Sequence, residues 1–242
     1  MGYCPQFDSI PQYMTPKEVL SMFSLIRGIP RKQIEDVTCD MAKELKLTEH
    51  FKKKINSCSG GTKRKVSACI ALLGNPLVVF LDDPTTGIDP ESRRKLWDMI
   101  SWLRTAGSTV VLTSHSMEEC EALCTNLAIM ANGQLQYLGS AQYLKNKYGQ
   151  VYILSIKIKE SPLKHTSDMA SIEAYVLDKF PGAVLEEKYR CYVTYSIVPS
   201  DIPISKIFGL MERAREQLMI EDYSLGQVTL DRVFLNLDKM QS

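Results

Sequence analysis

A short apolar run that ends in two adjacent carboxylates is the feature that most restricts how this chain can fold. Residues 77–81 read Leu-Val-Val-Phe-Leu, and Asp82 and Asp83 follow directly. Because every position of the run is apolar, it predicts a strand buried on both faces, as in a parallel sheet covered by helices. The carboxylates then lie at the carboxyl edge of the sheet, where open α/β folds bind ligands. We therefore expect an α/β fold.

A second apolar run supplies a histidine at the same edge. Residues 109–113 have the pattern of a buried strand, and His115 lies just beyond them. Adjacent parallel strands bring their carboxyl ends to one crevice, so His115 is expected near Asp83. There Asp82 can hold hydrated Mg²⁺, Asp83 can orient or deprotonate a water, and His115 can contact a γ-phosphate. Taken singly, an Asp pair that ends a strand and a lone histidine are more typical of structural roles.

A small-residue tripeptide precedes a predicted helix over residues 66–73. Ser59, Gly60 and Gly61 offer backbone N–H groups to an anion at a helix N-terminus, and a γ-phosphate fits this chemistry. By itself the tripeptide is more typical of a loop that enters a helix, with the basic residues 63–65 on a solvated face. Its combination with the Asp pair and the histidine favours a nucleotide site.

In this order the motifs resemble those of ABC transporter nucleotide-binding domains, a class of P-loop NTPase. The Q-loop corresponds to residues 2–6, the signature to 58–62, Walker B to 81–84, the D-loop to 87–89 and the H-loop to 114–115. The similarity narrows to the A subfamily, the full-length lipid transporters, on residues 3–8, 59–65, 113–124 and 220–224. The beginning and the end of the chain are most like the second nucleotide-binding half of that subfamily.

The resemblance implies roles for residues on this half's own nucleotide. Gln6 would be a Mg²⁺ ligand and a sensor of the membrane domain, and Asp82 a second contact to Mg²⁺. Asp83 would be the catalytic carboxylate and His115 the γ-phosphate switch. ATP and Mg²⁺ are therefore the expected cofactors.

The resemblance also implies partners. Ser59, Gly60 and Gly61 would act in trans on the nucleotide of the other nucleotide-binding half, and Asp89 would couple the two sites. The other partners would be the transmembrane domains of the same transporter, through which alone a lipid substrate would be reached. The chain would lie at the cytoplasmic face of a membrane, as part of an integral membrane protein.

Three departures from the family pattern bear on activity. No G-x-x-x-x-G-K-[ST] motif occurs in the 242 residues, so the chain is expected to be truncated and inactive alone. Cys58 replaces the residue that commonly precedes Ser-Gly-Gly. Asp83 stands where the family has a glutamate; a carboxylate misplaced by ~1 Å can cost on the order of a hundredfold in rate. Slow hydrolysis is therefore expected.

Composition disfavours several other classes of protein. The net charge of +1 gives no basic field for nucleic acid, so no nucleic-acid partner is expected. No apolar run approaches the roughly 18–20 residues of a membrane span, and no signal peptide is visible. Seven cysteines without a C-x-x-C pair indicate reduced thiols rather than disulfides or a zinc site. The membrane part is expected elsewhere.

The chain divides into two predicted domains. Residues 1–149 would be the partial nucleotide-binding domain, from Q-loop to H-loop, with a helical subdomain over residues 15–47 that breaks at Gly28. A helical bundle without rotation upon nucleotide binding fits the same residues. Residues 150–242 would be a regulatory domain with the order βαββαβ, a ferredoxin-like pattern. Tyr189, Tyr192 and Tyr195 follow one another on its expected central strand, where they could form a surface for a partner, whereas the inward-facing ones should pack in the core.

Three functional hypotheses remain open at this point. The leading one is the ATP-hydrolysing engine of a lipid exporter. The second is a non-hydrolytic, nucleotide-gated docking or regulatory module, which Asp83 and the missing phosphate loop favour. The third is an inactive fragment, an incomplete gene product whose fold has no independent function. ATP turnover by the complete protein would distinguish the first two.

Overall fold

The computed structural model describes residues 1–149, 151–159, 165–198 and 203–239. The backbone separates into two compact units, Met1–Cys124 and Thr125–Ser242. The first unit contains the motif residues and the second contains the predicted regulatory domain.

Three parallel strands form the sheet of the first unit. They are β1 (Gly2–Cys4), β2 (Val78–Asp82) and β3 (Thr109–Thr113), in the order β1-β2-β3. The register pairs Asp82 with Thr113, so both residues end their strands at one edge of the sheet. The two strands predicted from apolar runs are therefore confirmed, with β2 displaced by one residue.

Five helices complete the first unit. They are α1 (Pro16–Ile26), α2 (Arg31–Glu44), α3 (Gly60–Leu72), α4 (Pro90–Thr105) and α5 (Met117–Leu123), with single 3-10 turns at Thr48–His50 and Ile55–Ser57. Gly28 turns the chain between α1 and α2 at φ +79°, which glycine adopts without strain. Apolar side chains from these helices and the sheet form one core, including Val19, Leu20, Leu45, Val66, Cys69, Leu81 and Leu96.

Helix α3 begins earlier than the apolar pattern predicted. The Ser59 side chain accepts a hydrogen bond from the Thr62 amide at 3.2 Å, which satisfies an N–H group that the helix start leaves free. The helix therefore begins at Gly60 rather than near Val66. The basic residues 63–65 therefore lie within the helix.

The second unit begins with a hairpin and a helix. Strands β4 (Leu127–Ala131) and β5 (Gln134–Gly139) are antiparallel and are followed by α6 (Ala141–Tyr148). Asn132 and Gly133 connect the strands with φ values of +49° and +75°, as a two-residue turn with left-handed central residues requires.

The remainder of the second unit has the predicted order βαββαβ. Its elements are β6 (Tyr152–Ile158), α7 (His165–Lys179), β7 (Val184–Tyr189), β8 (Tyr192–Ile197), α8 (Ile204–Gln217) and β9 (Ile220–Gln227), followed by α9 (Leu230–Lys239). The strands are antiparallel in the order β7-β8-β6-β9, which is the ferredoxin-like arrangement. The α+β fold class is confirmed.

Two details differ from the sequence expectation. Residues 189–197 were expected as one strand, but a turn at Arg190 and Cys191 divides them, so that Tyr189 ends β7. Tyr195 is buried, as expected for an inward-facing residue, whereas Tyr189 and Tyr192 are exposed. Alternation alone did not reveal the turn, because Tyr189, Cys191 and Val193 continue the period-two pattern across it.

The compact units divide at residue 124, whereas the predicted domain boundary is at residues 149–150. Helix α6 packs on α9, and Gly149 lies so close to Val228 and Val233 that a side chain would collide with them. These contacts place residues 125–149 with the second unit. The sequence boundary at 149–150 stays a prediction.

Candidate functional site

Asp83 and His115 meet at the carboxyl edge of the parallel sheet. His115 Nδ1 lies 2.9 Å from Asp83 Oδ1, a hydrogen bond that becomes an ion pair when the imidazole is protonated. The His115 side chain is 76% exposed and that of Asp83 is 22% exposed. The imidazole is thus held by the carboxylate on one side and open to solvent on the other.

The Asp83 backbone has a left-handed conformation, with φ +49°. Glycine adopts this conformation freely, and among the other residues asparagine and aspartate adopt it more readily than most. The Asp83 amide donates to the Thr113 carbonyl at 3.0 Å, and the Thr86 amide donates to the Asp83 carbonyl at 3.3 Å. The backbone of Asp83 is therefore fixed between the end of β3 and the following turn.

Asp82 lies at the end of β2 beside the last residue of β3. Thr113 Oγ1 donates a hydrogen bond to Asp82 Oδ1, and the carboxylate is partly exposed. Mg²⁺ is held in many nucleotide sites by one or two carboxylates together with phosphate oxygens and water. Asp82 fits that requirement. Among the described residues, no group of three or more His, Cys, Asp or Glu side chains is placed to hold a metal ion.

Gln6 follows β1 and is exposed. Its backbone carbonyl accepts a hydrogen bond from Arg64 Nη1 at 3.2 Å, which ties this segment to helix α3. The strand end before Gln6 lies at the same edge of the sheet as Asp82, since β1 and β2 are parallel.

The guanidinium of Arg64 is buried beside the Asp pair. Only 4% of its side chain is exposed. It donates a hydrogen bond to the Asp8 carboxylate. It also donates to four backbone carbonyls in two segments, those of Pro5, Gln6, Asp82 and Asp83. The alternative of a solvated face for residues 63–65 is wrong for Arg64 and Lys65, which are both buried.

A close backbone approach joins the signature segment to the turn after β2. A Cβ added at Gly61 would lie 2.4 Å from the Gly87 carbonyl oxygen, whereas one added at Gly60 would meet open space. Ser59 and Gly60 are exposed at the start of α3. Gly61 therefore packs against the backbone of Gly87, whereas Ser59 and Gly60 form the solvent-exposed N-terminus of the helix.

Asp89 caps helix α4 and pairs with Lys65. Its carboxylate accepts from the Ser92 amide at 2.9 Å and lies 2.7 Å from Lys65 Nζ. The hydrogen bond from Lys65, and then that from the Ser92 amide, hold the pKa of Asp89 well below its usual range. The side chain of Asp89 is half exposed, so this pair lies at the surface of the site.

A buried carboxylate supports the loop that carries His115. Glu119 accepts from Ser114 Oγ at 2.6 Å and from Trp97 Nε1 at 3.0 Å, and it is fully buried. Ser114 Oγ in turn accepts from the Ser116 amide at 3.0 Å. These contacts fix the residues on both sides of His115. The sequence pattern gave no signal for Glu119, because Glu118 and Glu121 beside it are similar in type.

Three family models match parts of the chain. The ABC transporter model matches residues 1–86, an AAA domain model matches residues 54–121, and the model "ABCA1-like, C-terminal R1 regulatory domain" matches residues 149–227. The first two cover the motif-bearing unit and the third covers the ferredoxin-like elements.

Curated relatives match over the whole chain. It is 44% identical over 241 residues to the rat phospholipid-transporting ATPase ABCA3, 45% over 242 residues to the rat ATP-binding cassette sub-family A member 2, and 44% over 242 residues to the human retinal-specific phospholipid-transporting ATPase ABCA4. The matches cover 100% of this chain but only 14%, 10% and 11% of those proteins. The chain thus spans a small part of the length of its relatives.

Two solved structures share the fold of a part of this chain. One is an ATP-binding subunit of an ABC transporter, with a TM-score of 0.56, 22% identity and coverage of 61% of this chain and 62% of that chain. Another is an ATP-binding cassette in a dimeric, post-hydrolysis state bound to ADP and Pi, with a TM-score of 0.53, 19% identity and coverage of 57% and 62%. In the part of this chain that the structure describes, no helix is both long and apolar enough to cross a membrane.

Proposed function

The chain belongs to the A subfamily of ABC transporters, and we propose that it forms the water-polarising part of a nucleotide-binding domain that hydrolyses ATP to drive lipid transport. The observation that carries this proposal is the 2.9 Å contact between His115 Nδ1 and Asp83 Oδ1 at the carboxyl edge of the sheet. It joins a candidate base to a candidate phosphate sensor, as γ-phosphate hydrolysis requires.

Each residue then has a defined task. Asp83 orients the attacking water and accepts its proton, and His115 holds the Asp83 carboxylate in place. When the imidazole is protonated, its exposed Nε2–H can donate to a phosphate oxygen while Nδ1–H donates to Asp83. Asp82 would hold Mg²⁺, which supplies charge neutralisation on the phosphates, and Gln6 would complete the contact from the end of β1.

The signature segment serves the other nucleotide-binding half in this proposal. Ser59 and Gly60 are exposed at the N-terminus of a 13-residue helix, where N–H groups and the helix dipole favour an anion. Asp89 lies beside this helix through its pair with Lys65. A change at one nucleotide would therefore reach Asp89 through α3, which supports the proposed coupling of the two sites.

The partners follow from the family. We propose that the chain works with a second nucleotide-binding half and with transmembrane domains at the cytoplasmic face of a membrane. Two of the relatives are named as phospholipid-transporting ATPases, so the proposed cargo is a phospholipid reached only through the membrane domains. The 242 residues alone lack a phosphate loop in their sequence and are expected to show no ATP turnover.

A non-hydrolytic docking module remains the second candidate. The shorter reach of Asp83, compared with the glutamate that the family pattern places there, is the observation that favours it. A complete transporter that binds MgATP, closes and releases no phosphate would support this second function.

Removal of the imidazole tests the proposed function. In the complete transporter, His115→Ala should lower ATP turnover by roughly 100-fold, because the Asp83 carboxylate is no longer held in place, while MgATP binding is retained. Phosphate release and nucleotide binding are the measurements. His50→Ala is the control, since His50 lies in a 3-10 turn outside the site. Unchanged turnover in His115→Ala would exclude the proposed role.

A further inference from the structure

We propose that Arg64 is a positioning residue that fixes the backbone of Asp83 and couples it to the Gln6 segment. This inference rests on the proposed function, because it assigns the means by which Asp83 is held for hydrolysis. Arg64 would not touch nucleotide. It would act through the carbonyls of the residues that do.

The contacts of Arg64 reach both strand ends at once. Nε and Nη2 donate to the Asp83 carbonyl at 3.2 and 2.8 Å, and Nη2 also donates to the Asp82 carbonyl. Nη1 donates to the carbonyls of Pro5 and Gln6, the latter at 3.2 Å. A single planar group therefore bridges the end of β1 and the end of β2.

The buried charge of Arg64 has one carboxylate partner. Asp8 Oδ1 lies 3.1 Å from Nη1, and its side chain is 19% exposed. Burial of a cation is unfavourable unless charge and N–H groups are both compensated. Here the remaining N–H groups are satisfied by the backbone carbonyls, so the guanidinium is stable only when both segments are in place.

Arg64 influences the orientation of the Asp83 carboxylate through the Asp83 carbonyl. This carbonyl accepts from Arg64 and also from the Thr86 amide at 3.3 Å, and it belongs to a residue with φ +49°. A left-handed aspartate is strained and persists only where its surroundings enforce it. Without Arg64, rotation of this peptide would carry the Asp83 carboxylate away from His115.

Lysine cannot replace this geometry. An ammonium is a compact point charge, whereas the guanidinium presents N–H donors in a fixed fork. Arg64→Lys retains the buried charge near Asp8 but cannot serve the carbonyls of Asp83 and Pro5 together. Arg64→Lys therefore separates the effect of geometry from the effect of charge, and Arg64→Gln removes both.

The test uses the complete transporter with Arg64→Lys, Arg64→Gln and the control Arg31→Gln, which removes an exposed arginine at the start of α2. We expect kcat for ATP to fall roughly tenfold to 100-fold in both Arg64 variants, with a smaller change in KM for ATP, because the main loss is the orientation of Asp83. Arg31→Gln should match the wild type. Unchanged kcat in Arg64→Lys would overturn the proposal.

A double variant distinguishes positioning from a general loss of structure. If Arg64 acts through Asp83, then adding Arg64→Lys to Asp83→Asn should lower turnover by less than about twofold further. Independent, multiplicative losses would overturn the proposal.

Amide exchange gives a readout that does not depend on hydrolysis. Peptides that contain residues 83–86 and residues 5–8 should both exchange faster in Arg64→Lys, and peptides from α4 should not. If the wild-type transporter hydrolyses no ATP, the proposed function fails, whereas this exchange still measures the coupling. Faster exchange confined to one of the two segments would contradict the coupling by Arg64.

Discussion

The two units of the chain differ most in the polar groups that they bury. In the first unit the buried polar residues include charged side chains, namely Arg64, Lys65 and Glu119. In the described part of the second unit they are the hydroxyl residues Thr194 and Ser196 on β8. Buried charge is costly unless it is paired, so its presence indicates a region where geometry is fixed for a task.

All three buried charges of the first unit contact segments that contain candidate site residues. Arg64 holds the Asp83 carbonyl, Lys65 pairs with Asp89, and Glu119 holds Ser114 before His115. The second unit is instead organised around an apolar core that includes Phe180 and Tyr195. We therefore expect substitutions in the first unit to affect ATP turnover and core substitutions in the second to affect stability.

The largest stability effect is expected in the core of the second unit. Phe180 is fully buried, so Phe180→Ala should lower the free energy of unfolding of this unit by about 3–5 kcal/mol. Urea unfolding of the chain measures it. Phe208→Ala is the matched control, since Phe208 is 43% exposed, and should cost less than half as much. Equal losses would show that the second unit lacks the apolar core on which the comparison depends.

A large effect on thiol reactivity is expected within the first unit. Burial raises the pKa of Cys69 to about 12, whereas Cys191 in the second unit is half-buried. The thiolate is the reactive form, so alkylation of Cys69 at pH 8 should be at least ~100-fold slower than that of Cys191. Mass spectrometry of iodoacetamide-treated native chain gives both rates. Similar rates would mean that the core around Cys69 opens readily.

The sequence predicted the strands and the proximity of their polar ends, but it did not predict contacts from side chains to distant backbone. Strand β3 and the proximity of His115 to Asp83 followed from apolar runs and the rule for adjacent parallel strands. Arg64 could not be predicted, because its partners are backbone carbonyls far away in sequence. Any residue type could supply those carbonyls, so no pattern of side chains reveals them.

The hairpin of β4 and β5 is a different case. The Asn132-Gly133 pair between two apolar stretches is a strong hairpin signal, and it was available in the sequence. The assignment of residues 125–149 to the second unit was not available. It depends on the packing of α6 against α9, which lies about eighty residues further along the chain. Patterns within a short window of sequence do not report contacts at that separation.

A smaller loss of stability is expected when the close contact between Gly61 and Gly87 is disturbed. A methyl group at Gly61 would collide with backbone, so Gly61→Ala should destabilise the first unit by about 1–3 kcal/mol. Gly60→Ala meets open space and should change the free energy of unfolding by less than ~1 kcal/mol. Urea unfolding of the two variants side by side measures the difference. Equal stabilities would argue against the close approach.

The smallest expected effect concerns the pair of Asp89 with Lys65. Because the folded pKa of Asp89 lies below its unfolded value, the pair stabilises the fold above pH ~4 and is lost as pH falls through the folded pKa. Asp89→Asn retains the α4 cap and removes the charge. It should cost about 0.5–1 kcal/mol at pH 7, given the half-exposed carboxylate, and progressively less in acid. If Asp89→Asn lowers the free energy of unfolding equally at every pH, the loss comes from the helix cap and not from the charge pair.

The most direct measurement is ATP turnover by the complete transporter with Asp83→Glu, Asp83→Asn and the control Asp98→Asn, an exposed carboxylate on α4. We predict that Asp83→Glu turns over ATP faster than the wild type, because the longer side chain restores the reach of the carboxylate. Asp83→Asn should be slower by roughly 100-fold, and Asp98→Asn should equal the wild type. If Asp83→Asn hydrolyses ATP as fast as the wild type, Asp83 is not the residue that activates water.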